Sequence, residues 1–277
     1  MVQADTAHLK QLYINGKKTL SDKVRLLGFP EERPFVFESM RSYGGKIFRL
    51  NRHLERLIDS AKTIGLFLPR NAEELKADIS AALKSHSKAD LFLRLAVDEI
   101  ASYIVILKRA RPAWVYEHGL DLTTTVTRRN AVNSETPQVK SNAFLNNVFA
   151  ILDPPQSAAH EALFLDRSGY MTEGTAWNLF VAKEKKLFTP EAGFLPGVTR
   201  QFVIECAVRK GISVLETCLT RHDLWTATEA FLTNTSGEVI PLRSLDGRAI
   251  GRDIPGRVTR ELMDSFHQEL KKELKAS

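Results

Sequence analysis

The stretch Phe35-Val36-Phe37-Glu38-Ser39-Met40-Arg41-Ser42-Tyr43, Gly44-Gly45, Lys46-Ile47-Phe48-Arg49-Leu50 decides the fold class. A β-rich run broken by Gly-Gly and resumed by a second β-rich run predicts a hairpin. The residues that follow change period. Leu54, Leu57, Ile58, Ala61, Ile64 and Leu66 approximate the 3.6-residue repeat, so a helix is expected over Asn51–Leu66, with Asn51 as its N-cap and Gly65 as its terminator. A hairpin feeding straight into a helix belongs to mixed architectures.

Upstream, Leu12-Tyr13-Ile14-Asn15-Gly16-Lys17-Lys18 carries the Asn-Gly signature of a type I′ turn. Downstream come a more polar helix at about Asn71–Lys84 and strands at Asp90–Val97 and Ser102–Lys108. The break Arg109-Ala110-Arg111-Pro112 marks a domain boundary, giving domains 1–111 and 112–277. The second half predicts strands at Leu120–Thr127, Ala162–Leu165, Trp177–Ala182, Leu187–Thr189, Ile212–Leu215, Ala230–Thr233 and Val239–Leu242. Between them lie a nonperiodic stretch, Arg128–Gln138, and helices at Ser141–Leu152, Val198–Lys210 (closed by Gly211) and Ile254–Leu274. Short hairpins mixed with helical crossovers predict an α+β, mixed-sheet protein in two layers rather than one doubly wound sheet.

The 277 residues, 43% hydrophobic, are enough to bury a core. Charged residues make up 26%, and 39 Lys+Arg against 33 Asp+Glu give +6, spread along the chain instead of gathered into a nucleic-acid stripe. The cluster Lys271-Lys272-Glu273-Leu274-Lys275 reads as a solvated helix end, where cations complement the dipole. No run approaches the roughly 18–20 apolar residues of a membrane span, and the first residues lack the apolar core of a signal peptide. Cys206 and Cys218 make neither a disulfide framework nor a zinc ligand set, so no metal is expected. A cytoplasmic protein is the expectation.

Several segments are candidates for chemistry. Leu195-Pro196-Gly197-Val198-Thr199-Arg200 is a glycine turn opening a helix, where unpaired N–H groups favour an anion; it is equally an ordinary helix start. Thr233-Asn234-Thr235-Ser236-Gly237-Glu238 is a hydroxyl-rich turn that offers donors to a ligand or simply ends a strand. Glu173, in Glu173-Gly174-Thr175-Ala176-Trp177-Asn178, is either a solvated loop acid or a carboxylate facing a site. Lys140 is either a surface lysine or an amine able to attack a carbonyl from a partly dry pocket. Arg56 pairs on the surface in the plain reading, and His53 packs or caps. No P-loop, G-x-G-x-x-G, H-E-x-x-H or G-x-S-x-G occurs.

Taken in order, eight features resemble one family. They are Tyr13-Ile14-Asn15-Gly16; Phe37-Glu38-x-x-Arg41 with Gly45-Lys46-Ile47-Phe48-Arg49-Leu50; His53-Leu54-x-Arg56-Leu57 with Ser60-Ala61; and Lys140. The rest are Glu173-Gly174 with Asn178-Leu179-Phe180; Thr189-Pro190; Leu195 to Arg200; and Phe231-Leu232-Thr233-x-Thr235 with Glu238-Val239 and Pro241. Over about residues 12 to 260 the chain is similar to the fold-type IV pyridoxal 5′-phosphate enzymes. These are the class IV aminotransferases: branched-chain aminotransferases, D-amino acid aminotransferases and 4-amino-4-deoxychorismate lyases.

The resemblance implies a small α/β domain before a larger domain with a mixed, barrel-like sheet. It makes Lys140 the Schiff-base lysine and proton shuttle, and Glu173 the partner of the pyridine nitrogen. Arg56, the N–H groups of Val198 and Thr199, and the Thr235 hydroxyl would hold the cofactor phosphate. Ser236 and Gly237 would offer N–H groups to the substrate carboxylate, with Phe37, Arg41 and Arg94 on the substrate side. It further implies a homodimer and ping-pong transfer between an amino acid and a 2-oxo acid. Two departures stand out. Leu145 occupies the place, five residues after the lysine, where branched-chain enzymes usually have tyrosine, and Gly28-Phe29-Pro30-Glu31-Glu32-Arg33-Pro34 replaces the Gly-Asp-Gly of the other two branches. Thr235-Ser236-Gly237-Glu238-Val239 looks more like a transaminase. Transamination of branched-chain L-amino acids therefore ranks ahead of D-amino acids, and the lyase third. A noncatalytic binding relative is the alternative from another class, against which Lys140 and Glu173 both speak.

Overall fold

The structure is a computed structural model that describes residues 10–19, 33–86, 89–108, 110–129, 137–143, 145–152 and 159–276. The segment from Gly28 to Glu32, Arg109, most of the nonperiodic stretch (residues 130–136) and Phe144 therefore lie outside the described residues. Two compact units emerge. One takes in the described residues of Ala4–Ala110 together with Val139–Ala143, the other those of Arg111–Gln138 and Phe144–Ser277.

The N-terminal unit contains β1 (Lys10–Ile14), β2 (Lys17–Thr19), β3 (Val36–Tyr43), β4 (Lys46–Ile47), α1 (Leu50–Thr63), α2 (Ala72–Leu83), β5 (Phe92–Val97) and β6 (Ser102–Leu107). Its six-stranded sheet runs β2-β1-β6-β5-β3-β4, antiparallel throughout. The Asn-Gly turn forms as expected: Asn15 and Gly16 have φ of 48° and 73°, the two left-handed residues a type I′ turn needs.

Strand β3 alternates strictly between buried and half-buried residues. Val36, Glu38, Met40 and Ser42 point to one face, and Phe37, Ser39, Arg41 and Tyr43 to the other. The first face joins Leu54, Leu57 and Ala61 of α1 and Leu75, Ile79 and Ala82 of α2 in the core. Helix α2 begins on a capping box between Asn71 and Glu74. Helix α1 differs from expectation. Its N-cap is Arg49, left-handed at φ 51°, not Asn51, and no side chain caps it. Packing of its apolar stripe, rather than a cap, sets where it starts. Gly65, at φ 68°, follows its end as expected.

The C-terminal unit contains α3 (Trp114–His118), β7 (Leu120–Arg128), α4 (Leu145–Leu152), β8 (Glu161–Leu165), β9 (Met171–Gly174), β10 (Asn178–Lys183), β11 (Lys186–Pro190), α5 (Val198–Arg209), β12 (Ser213–Thr217), α6 (Arg221–Trp225), β13 (Glu229–Asn234), β14 (Glu238–Leu245), β15 (Arg248–Ala249) and α7 (Arg257–Ala276). The nine-stranded sheet runs β12-β11-β10-β13-β14-β7-β8-β9, with β15 off β14, and mixes parallel and antiparallel pairs. Strand β9 also pairs with β10 through Glu173 and Asn178. Six strands (β10, β13, β14, β7, β8 and β9) therefore close into a barrel-like ring filled by Leu122, Leu163, Leu179, Val181, Leu232 and Ile240. Outside it, Phe202 of α5 meets Phe266 of α7 edge to face at 5.0 Å.

The mixed α/β class matches expectation. Helix α4 starts at Leu145 and not Ser141, because Ser141 is bridged to Val36. The short α3, α6, β9 and β15 carry too few residues to show a period.

Candidate active site

In the N-terminal unit, Lys140 sits on the extended segment 139–143, whose backbone is fastened to β3 and α1. The Lys140 carbonyl accepts from Phe37 N at 2.9 Å, and its N–H donates to Ser60 Oγ at 3.1 Å. Asn142 N donates to the Phe35 carbonyl, and Asn142 Oδ1 accepts from Phe35 N. With the chain held on both sides of residue 140, the ammonium lies 4.8 Å from the centre of the Phe37 ring.

Beside it, one face of α1 presents His53, Arg56 and Ser60. Arg56 meets Glu38 side-on: Nε to Oε1 at 2.6 Å and Nη2 to Oε2 at 2.7 Å. His53 Nδ1 lies 2.8 Å from Glu38 Oε2. Glu38 is wholly buried. Burial pushes its carboxyl up, but the Arg56 charge and the hydrogen bonds from His53 and Arg56 outweigh that and hold it at about 2. Burial moves His53 the other way, below the usual histidine range, with Arg56 and Lys140 adding to the effect against Glu38. At neutral pH His53 is thus uncharged and, facing an ionised carboxylate, carries its proton on Nδ1.

Phe37 and Arg41 lie on the opposite, half-buried face of β3. Arg94 of β5 pairs with Ser39 and so shares that face. Its guanidinium lies 5.3 Å from the Phe37 ring, and its buried Nε has no hydrogen-bond partner among the described residues. Burial lowers its pKa. Arg41 stacks on Tyr43 at 4.8 Å.

In the C-terminal unit, Glu173 sits at the seam that closes the ring. It is 5% exposed, and its Oε1 lies 2.7 Å from Arg129 Nη2. Its Oε2 accepts from Leu195 N at 3.0 Å, while Asn178 Nδ2 donates to the Leu195 carbonyl at 2.9 Å. The two seam residues therefore grip both backbone groups of Leu195 and fix the turn Leu195-Pro196-Gly197 that opens α5. Gly197 is demanded by this grip, since a Cβ there would stand 2.1 Å from Asn178 Oδ1. No side chain caps α5, so its first N–H groups, at Val198 and Thr199, take no side-chain cap. Arg200, by contrast, turns to structure and ties α5 to Thr189, Pro190 and Glu216.

Thr235 follows β13 in the turn to β14. The N–H groups of Ser236 and Gly237 both donate to Asn234 Oδ1, at 2.9 and 2.7 Å, so serving a carboxylate requires them to exchange that oxygen for it. Leu145 opens α4 and is 65% exposed.

Three partners had no assigned role from the sequence. Glu38 and Asn178 stand in the family-like motifs Phe37-Glu38-x-x-Arg41 and Asn178-Leu179-Phe180 but with no role of their own, and Arg129, in the nonperiodic stretch, is flagged by nothing local. Arg129 also donates to Asn147 Oδ1 at 3.0 Å.

Residues 35–245 match the family model described as amino-transferase class IV. The chain belongs to the class IV aminotransferases. It is 31% identical over 252 residues to a branched-chain-amino-acid aminotransferase of Pseudomonas aeruginosa, covering 83% of this chain and 82% of the relative. It is 30% identical over 257 residues to a D-alanine aminotransferase of Bacillus licheniformis, covering 85% and 87%. A crystal structure of a putative branched-chain amino acid aminotransferase from Thermotoga maritima superposes with a TM-score of 0.85 at 27% identity, over 95% of this chain and 96% of that one. Another solved branched-chain aminotransferase of the same fold contains pyridoxamine 5′-phosphate.

This class IV aminotransferase is a pyridoxal 5′-phosphate enzyme. Its residues fit the group: an amine against an aromatic ring, a buried carboxylate paired to arginine, and a 12-residue helix whose N-terminus takes no side-chain cap behind an obligatory glycine. No helix among the described residues is long and apolar enough to cross a membrane.

Proposed function

We propose that this aminotransferase moves the amino group of a branched-chain L-amino acid to a 2-oxo acid, as a cytoplasmic homodimer. The cofactor, when bound, supplies an aldehyde that takes up amines and a ring that accepts electrons. The chain's own groups do the rest. Lys140 would be the amine that holds the cofactor through its aldehyde, and its Nζ would be the base that moves the proton at the substrate α-carbon. Glu173, buried and paired with Arg129, keeps a proton on the pyridine nitrogen. Arg56, the Val198 and Thr199 N–H groups and the Thr235 hydroxyl hold the phosphate. Arg94, with its buried guanidinium, receives the substrate carboxylate beside Phe37 and Arg41, and Ser236 and Gly237 add their N–H groups.

The observation that carries this assignment is the fastening of Lys140 on both backbone groups, which fixes where its side chain leaves the main chain, with Nζ 4.8 Å from the centre of the Phe37 ring. The branched-chain preference is supported by the Pseudomonas relative. A D-amino acid substrate is the second reading, favoured by Leu145 in the tyrosine position and by the Bacillus relative. The homodimer is supported by the apolar residues that α4 exposes, Leu145 at 65% and Phe149 at 56%.

The test is a substrate panel of L-leucine, D-alanine and aminodeoxychorismate, each offered with 2-oxoglutarate where an acceptor is needed. Formation of 4-methyl-2-oxopentanoate from L-leucine supports the proposal. Pyruvate from D-alanine alone transfers it to the second reading, and pyruvate from aminodeoxychorismate makes the chain a lyase.

A further inference from the structure

Glu38 occupies a position that apolar residues would be expected to hold. It lies in the helix-covered face of the N-terminal sheet, in register with Leu95, which in turn pairs with Ile104, and Ile104 with Tyr13. Leu95, Ile104 and Tyr13 are apolar or aromatic and belong to the core, and only at the sheet edge does the row reach a charged residue, the exposed Lys18 of β2. A buried carboxylate is weak evidence for stability, because well-packed apolar replacements of buried ion pairs are often neutral or better. What it does here is orient. Its two oxygens take the Nε and Nη2 edge of Arg56, the planar fork that fixes a guanidinium in both position and plane. Oε2 also accepts from His53, one helical turn before Arg56 on α1, and so receives a second anchor without a second positive charge.

We propose that Glu38 is a positioning residue for the cofactor phosphate, holding Arg56 in the orientation from which it meets that group; this rests on the assignment of Arg56 to the phosphate made above. The paired charges of Glu38 and Arg56 cancel, so Glu38 contributes geometry at the expense of field. That opposition makes the proposal testable by sign. Were Glu38 important only through its charge, removing the charge would strengthen phosphate binding. If it positions Arg56, removal weakens it.

The experiment strips the enzyme of cofactor and titrates it with pyridoxal 5′-phosphate and, separately, with pyridoxal, which lacks the phosphate, following absorbance. For Glu38→Gln the dissociation constant for pyridoxal 5′-phosphate is expected to rise about ten- to a hundredfold, the loss of one charge-assisted contact, with pyridoxal changed by less than about twofold. Glu38→Asp keeps the charge but is too short to span both nitrogens, and is expected to lower the same preference; it carries the test if Glu38→Gln does not fold. Unchanged or tighter binding of pyridoxal 5′-phosphate, or equal weakening of both compounds, overturns the proposal. Arg56→Gln separates the two layers. It must itself collapse the preference for the phosphorylated compound, and if it does not, the assignment of Arg56 to the phosphate fails first.

Discussion

Replacing Gly197 by alanine probes the grip on the turn before α5. Gly197 has an ordinary extended backbone, φ −70° and ψ 131°, so alanine is conformationally allowed there and any cost is steric. The new Cβ would stand 2.1 Å from Asn178 Oδ1, and ordinary contact begins at 3.4 Å, so the Asn178 side chain must retreat by more than 1 Å. That retreat breaks its bond to the Leu195 carbonyl. A buried polar group left without its partner costs about 1–3 kcal/mol, and overpacking adds a similar amount. Gly197→Ala should therefore lower stability in urea unfolding by about 2–6 kcal/mol and weaken cofactor binding. In an Asn178→Ala background that obstacle is gone, and the nearest remaining neighbour is Arg200 Cβ at 3.3 Å. There, Gly197→Ala should cost no more than about 1 kcal/mol. Equal costs in the two backgrounds would refute the proposed clash and the grip it implies.

Three further outcomes are expected. Glu38 has its pKa lowered from 4.5 to about 2 in the folded chain. Its pairing therefore stabilises fully above pH 4.5, by about 3 kcal/mol, and that contribution is lost as pH falls toward 2. The stability gap between the parent and Glu38→Gln should narrow by about 2 kcal/mol from about pH 5 to about pH 3 in urea titrations; a constant gap contradicts the pairing. Arg129→Gln leaves the buried Glu173 carboxylate without its cation and should cost about 3 kcal/mol or more by the same assay, against no change if the pair is idle. Arg94→Gln should raise KM for the amino acid about tenfold or more with a smaller change in kcat, since a substrate carboxylate loses its charged partner; an unaltered KM removes Arg94 from the substrate site.

Local signals were readable wherever one residue type answers one local need. Asn15-Gly16 specifies its turn because few other pairs adopt two successive left-handed conformations, and the 3.6-residue stripe of α1 announces a buried face. The start of α1 was misplaced because Arg49 takes a left-handed conformation that its side chain does not advertise. The start of α4 was placed four residues early because the pairing of Ser141 with Val36 spans 105 positions, beyond any local pattern. The active site divides the same way. The turn before α5 was visible as a candidate anion site from its glycine and the helix behind it. Lys140 rose above the plain reading only through the family resemblance, for an isolated lysine carries no signature. Glu38, Arg129 and Asn178 gain their roles from partners brought near by sheet register and ring closure. Of these, Glu38 and Asn178 were visible as members of family-like motifs, though not their partners, and Arg129 was not visible at all.

The measurement closest to the central claim is borohydride reduction of the cofactor-loaded enzyme followed by peptide mass spectrometry. The account predicts that the phosphopyridoxyl group is fixed to Lys140, and that Lys140→Ala shows neither the label nor the visible absorbance of lysine-bound cofactor while unfolding at the same urea concentration as the parent. A label on another lysine, or turnover surviving in Lys140→Ala, would contradict it.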